Sequence, residues 1–291
     1  MTTLLSRPEW LEAHDNHVRR VEALTADHLA RRSRNERHPV WDFLFDYYPV
    51  TPGQLKHWSP GVGVMLDDVR DSDVAPNGSL GHVKFLSISN RRAELDKDAF
   101  VAKRGESAKY IQNLLQRTAS NPAQFDCFGL HEWAMVYRTE QPRHPEPLRL
   151  GSAGTNDVVD THSVKCTHYD AFRFFTEKAR PLNRFQPVRA SQPECEQSGC
   201  LHANMDLYKW ATKLAPIIPG ELWLDSFELA KAVRQLDMEA SPYDLRDWGF
   251  VPVPIETPEG KAEYVTRQRQ LSERAGVIRS QIVQHISSVF D

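Results

Sequence analysis

The sequence predicts a mainly α-helical protein of the α+β class, a single helical domain with one small antiparallel β element. Three observations lead there. Apolar residues recur at three- and four-residue steps over long segments, helix-start signals precede several of them, and only one stretch carries strand-like residues between turn signals. The 291 residues, 40% hydrophobic and 10% aromatic, are enough to bury a sizeable core.

Ser6-Arg7-Pro8-Glu9 reads as a capping box with proline in the first turn. It predicts a helix to about Arg34 with a buried stripe of Trp10, His14, Val18, Val21 and Leu24, and with His14 and His28 as partly buried face residues. His38-Pro39 stops it, and the aromatic run 40–48 is expected on the core. Thr51-Pro52 opens a short helix to Trp58. Val64-Met65-Leu66 and residues 82–88 then predict a β-ribbon around Pro76-Asn77-Gly78. Helices are predicted over 98–118 and 130–137. Residues 139–156, rich in Pro, Gly and charge, read as a surface connection and as the lobe boundary if there are two lobes. Residues 169–177 read as helical and 181–199 as irregular. Helices are expected over 201–214 and 220–239, after Ser241-Pro242, and after Thr257-Pro258.

A formal charge of -3 provides no global attraction to nucleic acid, so any DNA role needs a local patch. The candidates are Arg31-Arg32-Ser33-Arg34 with Arg37, and Arg91-Arg92 with Lys103-Arg104; the first also suits a helix C-terminus. No run of about 18 apolar residues occurs, and Arg7-Pro8 brings charge and proline before a signal-peptide core could form. A soluble, cytoplasmic protein without membrane association is expected. The four cysteines lack paired zinc-ribbon spacing and read as reduced thiols, with Cys195 and Cys200 close enough in sequence to pair or to ligate together. Nucleophile-elbow, P-loop and dinucleotide fingerprints are absent.

Chemistry concentrates in three places. Residues 159–170 hold Asp160, His162, Cys166, His168 and Asp170, groups that are costly to bury unpaired. As a strand, this segment would place His162, Cys166, His168 and Asp170 on one face, which suits either a metal or a buried hydrogen-bond network. His131-Glu132 sits in the apolar run 128–137. Adjacent helix residues point about 100° apart, so one of the two is expected to face the pocket. Met135 rules out the H-E-x-x-H zinc motif. On the third segment, His202 and Asp206 share a helix face with Lys209 beyond, an acid–base pair or a link between helices. The three segments, 127–138, 160–175 and 200–210, are expected to wall one pocket.

The blocks His131-Glu132-Trp133-Ala134-Met135-Val136-Tyr137-Arg138, Asp170-Ala171-Phe172-Arg173-Phe174-Phe175, Ala179-Arg180-Pro181-Leu182-Asn183-Arg184 and 200–210 resemble a bacterial, largely actinobacterial family that carries the name 3-methyladenine DNA glycosylase. The resemblance spans nearly the whole chain. It implies a hydrolase of DNA repair that flips an alkylated purine out of damaged DNA and cleaves its N-glycosidic bond. Pro60-Gly61-Val62-Gly63 and Val159-Asp160-Thr161-His162 look like the two halves of a glycosylase hairpin motif, although here they lie far apart in the chain. By that likeness Asp160 is the carboxylate that stabilises the cationic sugar, and Trp133, Tyr169, Phe174 or Trp210 stacks on the base.

The competing reading is a small-molecule enzyme in which His131, His162, His168 and His202, with Glu132, Asp170 or Asp206, form an acid–base or metal site. A binding protein without catalysis is the third. Substrate contacts are expected from Trp133, Arg138, Tyr169, Arg173, Phe174, Asn204, Lys209 and Trp210. No cofactor is required by the sequence; a divalent metal is the open alternative.

Overall fold

The computed structural model describes residues 2–291. In chain order the elements are β1 (Thr3–Leu5), α1 (Arg7–Ser33), α2 (Phe43–Asp46), α3 (Pro52–Leu55), β2 (Val64–Leu66), α4 (Asp71–Val74), β3 (Leu86–Ser89), β4 (Arg92–Leu95) and α5 (Lys97–Ser120). There follow α6 (Leu130–Ala134), α7 (Gly151–Thr161), α8 (Tyr169–Phe172), α9 (Gln192–Cys195), α10 (Leu201–Met205), α11 (Leu207–Leu214), α12 (Gly220–Glu239) and α13 (Pro258–Phe290). The fold is mainly α with one small sheet, as the periodicity predicts. The chain forms two compact units: residues 1–113, 207–228 and 278–291, and residues 114–206 and 229–277. The segment 139–156, the expected boundary, lies inside the second unit.

The first unit carries the sheet, in the order β1-β2-β4-β3. β1 pairs parallel with β2, and the other pairings are antiparallel, so the sheet is mixed. The parallel pair needs a crossover, which the long α1 provides. A three-residue strand ahead of a helix cap leaves no periodic signal. The hairpin turns at Asn90 and Arg91, both at positive φ, as a two-residue type I′ turn demands, and not at Pro76-Asn77-Gly78. α4 lies where that ribbon was expected to begin its turn.

The capping box holds: Ser6 donates from its backbone N–H to Glu9 Oε2 at 2.7 Å. α1 buries Trp10, His17, Val21 and Thr25, so the predicted stripe holds at Trp10 and Val21, while His14, Val18 and Leu24 are only partly covered. Trp10 packs with Trp58, Leu66, Val69, Leu80 and Ala93, and its indole N–H donates to Asp67 O at 3.0 Å. Arg7 grips Asp73 with two hydrogen bonds of 2.6 and 3.0 Å.

In the second unit, α13 straps the loop before α10. Gln268 donates to Gly199 O at 2.6 Å and Ser272 to Ser198 O at 2.8 Å. Asn121 holds Pro193 O and Glu196 O at 3.0 and 2.7 Å. Residues 159–161 finish α7, and 162–168 run irregularly into α8, so the strand that would have aligned His162, Cys166, His168 and Asp170 is not present. The helix expected over 201–214 is two helices, with Asp206 as the C-cap of α10.

Burial pushes His17, His38 and His82 each down to about 4. The unfolded chain, with histidines near their ordinary value, therefore binds more protons between about 4 and 6.5, and stability falls as pH drops through that window. The urea midpoint should decline steadily on acidification across this range; a constant midpoint would contradict the buried neutral state of these rings.

Candidate functional site

α6 follows Gly129, whose φ of 69° a side-chain-bearing residue adopts only with strain. That turn sends His131 and Glu132 into the second unit together, both buried. Their partners come from α12, where Arg234 and Asp237 lie three residues apart on one face. His131 Nε2 is 2.8 Å from Asp237 Oδ1, and Arg234 Nη1 donates to Asp237 Oδ2 at 3.0 Å. Glu132 Oε1 lies 3.7 Å from Arg234 Nη1 and 4.0 Å from His131 Nε2, too far for a hydrogen bond to either.

α10 brings His202 edge-on to His131, with ring centroids 4.5 Å apart. One ligand atom each from His131, Glu132, His202 and Asp237 falls within 4.8 Å of the others. Beside them, His168 accepts from Ala171 N–H at its Nδ1 (3.2 Å), capping α8. The proton of this ring then sits on Nε2, which faces Glu196 Oε1 at 3.3 Å and Asp206 Oδ2 at 3.4 Å. A small cavity of about 10 Å³ reaches this centre, lined in part by His131, His168, His202, Cys127, Cys166 and Cys200. It has room for one water or ion.

The electrostatics follow from burial and pairing. Burial works to lower the His131 pKa, but the charge and hydrogen bond of Asp237 outweigh it, leaving His131 above the ordinary imidazole value. Burial also acts to raise Asp237, and is overcome by the His131 charge, so this carboxylate stays ionised. Burial first, then the neighbouring Asp237 charge, raises Glu132. Burial and the His131 charge push His202 down to about 3. Burial drives the Cys166 thiol up to about 12 and raises Cys127 and Cys200, so all three are protonated, unreactive thiols. All four cysteines are free.

Of the residues singled out in the sequence, His131, Glu132, His168, His202 and Asp206 meet here. Both members of the His-Glu pair turn inward, because Arg234 and Asp237 meet them. His162 instead bonds Val158 O through Nδ1 at 2.7 Å, and Cys166 points at His168 O, so the one-face set of 162, 166, 168 and 170 is not assembled. Asp170 faces Arg173 and Arg189 at 3.4 and 3.5 Å. Asp160, at the end of α7, accepts from the Tyr137 hydroxyl at 2.5 Å and from Arg138 at 3.0 Å.

Trp133 is fully buried and donates to Ala240 O. Tyr169 lies under Arg189, and Phe174 under Arg143 and Arg173. Asn204 is buried and ties to Ser198 O. Lys209 and Trp210 belong to the first unit, where the ammonium sits 4.5 Å from the indole. That unit has its own cavity of about 210 Å³, lined by Trp58, His57, His82 and Trp223 among others.

Sequence reading missed Arg234, Asp237 and Glu196. A signal existed for the first two: charges interleaved with Leu229, Ala230, Val233 and Leu236, all of them buried. Glu196 sits in a loop and offers none. Comparison with family profiles, curated proteins and solved structures finds no match to this chain. Among the described residues, no helix is long and apolar enough to cross a membrane.

Arg234 is 1% exposed and faces two buried carboxylates. Replacing it by Met strands both, and should cost about 3–5 kcal/mol in urea unfolding; a loss under about 1 kcal/mol would show that the charges are not mutually dependent.

Proposed function

We propose that the chain is an enzyme performing proton-transfer chemistry, hydrolysis in particular, on a small polar molecule at the centre formed by His131, Glu132, His202 and Asp237. The convergence of these four side chains from α6, α10 and α12 carries the reading. Buried imidazoles and acids with pKa values driven apart are what acid–base work requires. Asp237 orients His131 and stabilises its cation, which makes His131 the proton donor. His202 is neutral across the physiological range and its ring nitrogens make no hydrogen bond among the described residues, so the ring can accept a proton from water or substrate. His168, gripped by Glu196 and Asp206, packs 5.4 Å from His202 and fixes its ring.

N-glycosylase action on alkylated DNA, implied by the family resemblance, is a second reading. One observation favours it: the Tyr137 hydroxyl and then Arg138 hold Asp160 below the usual carboxylate range, so it stays ionised, as stabilising a cationic sugar demands. Against it stands the pairing of the basic clusters. Arg31 meets Asp42, Arg34 meets Glu36, Arg37 meets Asp46, Arg91 meets Asp68 and Arg92 meets Asp67. Of the eight cations in these clusters only Arg32, Lys103 and Arg104 have no carboxylate partner among the described residues, which leaves three charges for phosphates.

Purified protein assayed on esters, amides, phosphate esters and nucleosides, beside release of free base from alkylated DNA, separates the two. Turnover within the small-molecule set should drop about 100-fold or more in His202→Ala and persist in Asp160→Asn. It should hold across mildly acidic and neutral pH and fall on the alkaline side, where His131 loses its proton. Base release abolished by Asp160→Asn but kept by His202→Ala would instead establish the glycosylase.

A further inference from the structure

The centre contains two polar groups that its own hydrogen bonding leaves over. The Glu132 side chain is 7% exposed, yet its carboxylate accepts no hydrogen bond among the described residues; the nearest cationic nitrogens stand at 3.7 and 4.0 Å. The His202 ring, which packs against both His131 and His168, likewise makes none. Buried polar groups in folded proteins are nearly always satisfied, and an ion or water is the usual explanation of an exception. Glu132 is a buried residue of this kind, and the partly exposed ring of His202, also without a hydrogen bond, stands in the same cluster.

We propose that this cluster is a binding site for one divalent metal ion of the zinc type, with His131, Glu132, His202 and Asp237 as its ligands. The inference rests on the reading of this centre as catalytic, but with metal bound His131 and His202 would serve as unprotonated ligands and not as free acid and base. The four donor atoms lie within 4.8 Å of one another. Ligands about 2.0–2.2 Å from a common ion sit at most roughly 4.4 Å apart, so modest side-chain adjustment closes the shell. Two imidazoles with two carboxylates select zinc, iron(II) or manganese(II) over calcium and magnesium, which take oxygen ligands alone.

The surroundings are those of a supported ligand set. Arg234 holds Asp237 by Oδ2 and leaves Oδ1 toward His131. A hydrogen-bonded ligating carboxylate is the normal outer arrangement of a metal site. The cavity of about 10 Å³ at His131 and His202 has room for one ion or water. The sequence had pointed to a different donor set, His162, Cys166, His168 and Asp170, which the fold separates.

The test is metal analysis of untagged full-length protein dialysed with and without Zn²⁺, joined to Co²⁺ substitution followed by visible absorption. About one zinc per chain is expected, with a cobalt spectrum of nitrogen and oxygen ligation. His202→Ala and Glu132→Gln should each lower zinc affinity by about ten-fold or more, with far-UV circular dichroism unchanged. Cys200→Ser, altering a thiol that lines the cavity, should keep the zinc.

Should Glu132→Gln fail to fold, His202→Ala at its partly exposed position decides the matter alone. Protein that takes up no zinc, variants that keep it, or loss of zinc in Cys200→Ser would each overturn the proposal. Stoichiometric zinc without turnover on the substrate set would defeat the enzyme reading and leave the metal site standing. Turnover by metal-free protein would do the reverse.

Discussion

Asp237 is ionised in a place from which water is excluded, and the arrangement of the second unit's centre follows from the need to satisfy it. A carboxylate buried this deeply persists only with partners on both oxygens. His131 takes one and Arg234 the other. Because Arg234 and Asp237 are three residues apart on a rigid helix, the pair is set by α12 alone, and α6 must present His131 at a matching height. The positive-φ turn at Gly129 is what permits that approach.

A second layer of pairing supports the first. His168 accepts from the α8 amide at Nδ1, while its Nε2 lies 3.3 and 3.4 Å from the carboxylates of Glu196 and Asp206. It serves as a positioning group, and not as the base that its place in a dense polar segment suggests. The loop carrying Glu196 is in turn fastened by Asn121, Gln268 and Ser272. Irregular backbone is costly to bury unless its carbonyls find donors, and these side chains provide them. Rigid elements and tied loops hold His202 in place with its ring nitrogens uncommitted, a combination suited to proton transfer or ligation.

Much of this was legible in the residues. The Ser6/Glu9 cap and the Thr51-Pro52 start both form as their chemistry requires. The long helices appear where apolar residues recur at helical steps. The three pocket segments do meet: residues 130–131, 165–168 and 200–202 stand around one small cavity. Failures fall where a local signal competes with packing. The run 159–168 alternates like a strand, but Val158 and Val159 are buried from a helix, and the following residues bend to cap the next one. The hairpin turns at Asn90-Arg91, without the glycine that usually marks such a turn.

The amino-acid sequence by itself determined the mainly helical class, the helix starts and the chemical richness of the 128–138, 160–170 and 200–206 stretches, because caps and periodic burial act within a few residues of each other. Only tertiary packing decided which ionisable groups would share the centre. Asp237 and Arg234 lie about a hundred residues from His131, and nothing local to α12 says what its buried charges face. Asp160 and His162, equally dense in functional groups, were left to ordinary surface and backbone partners. Desolvation acts on whatever the fold brings together, so the pKa values that make the centre reactive are properties of the assembled core and not of the chain.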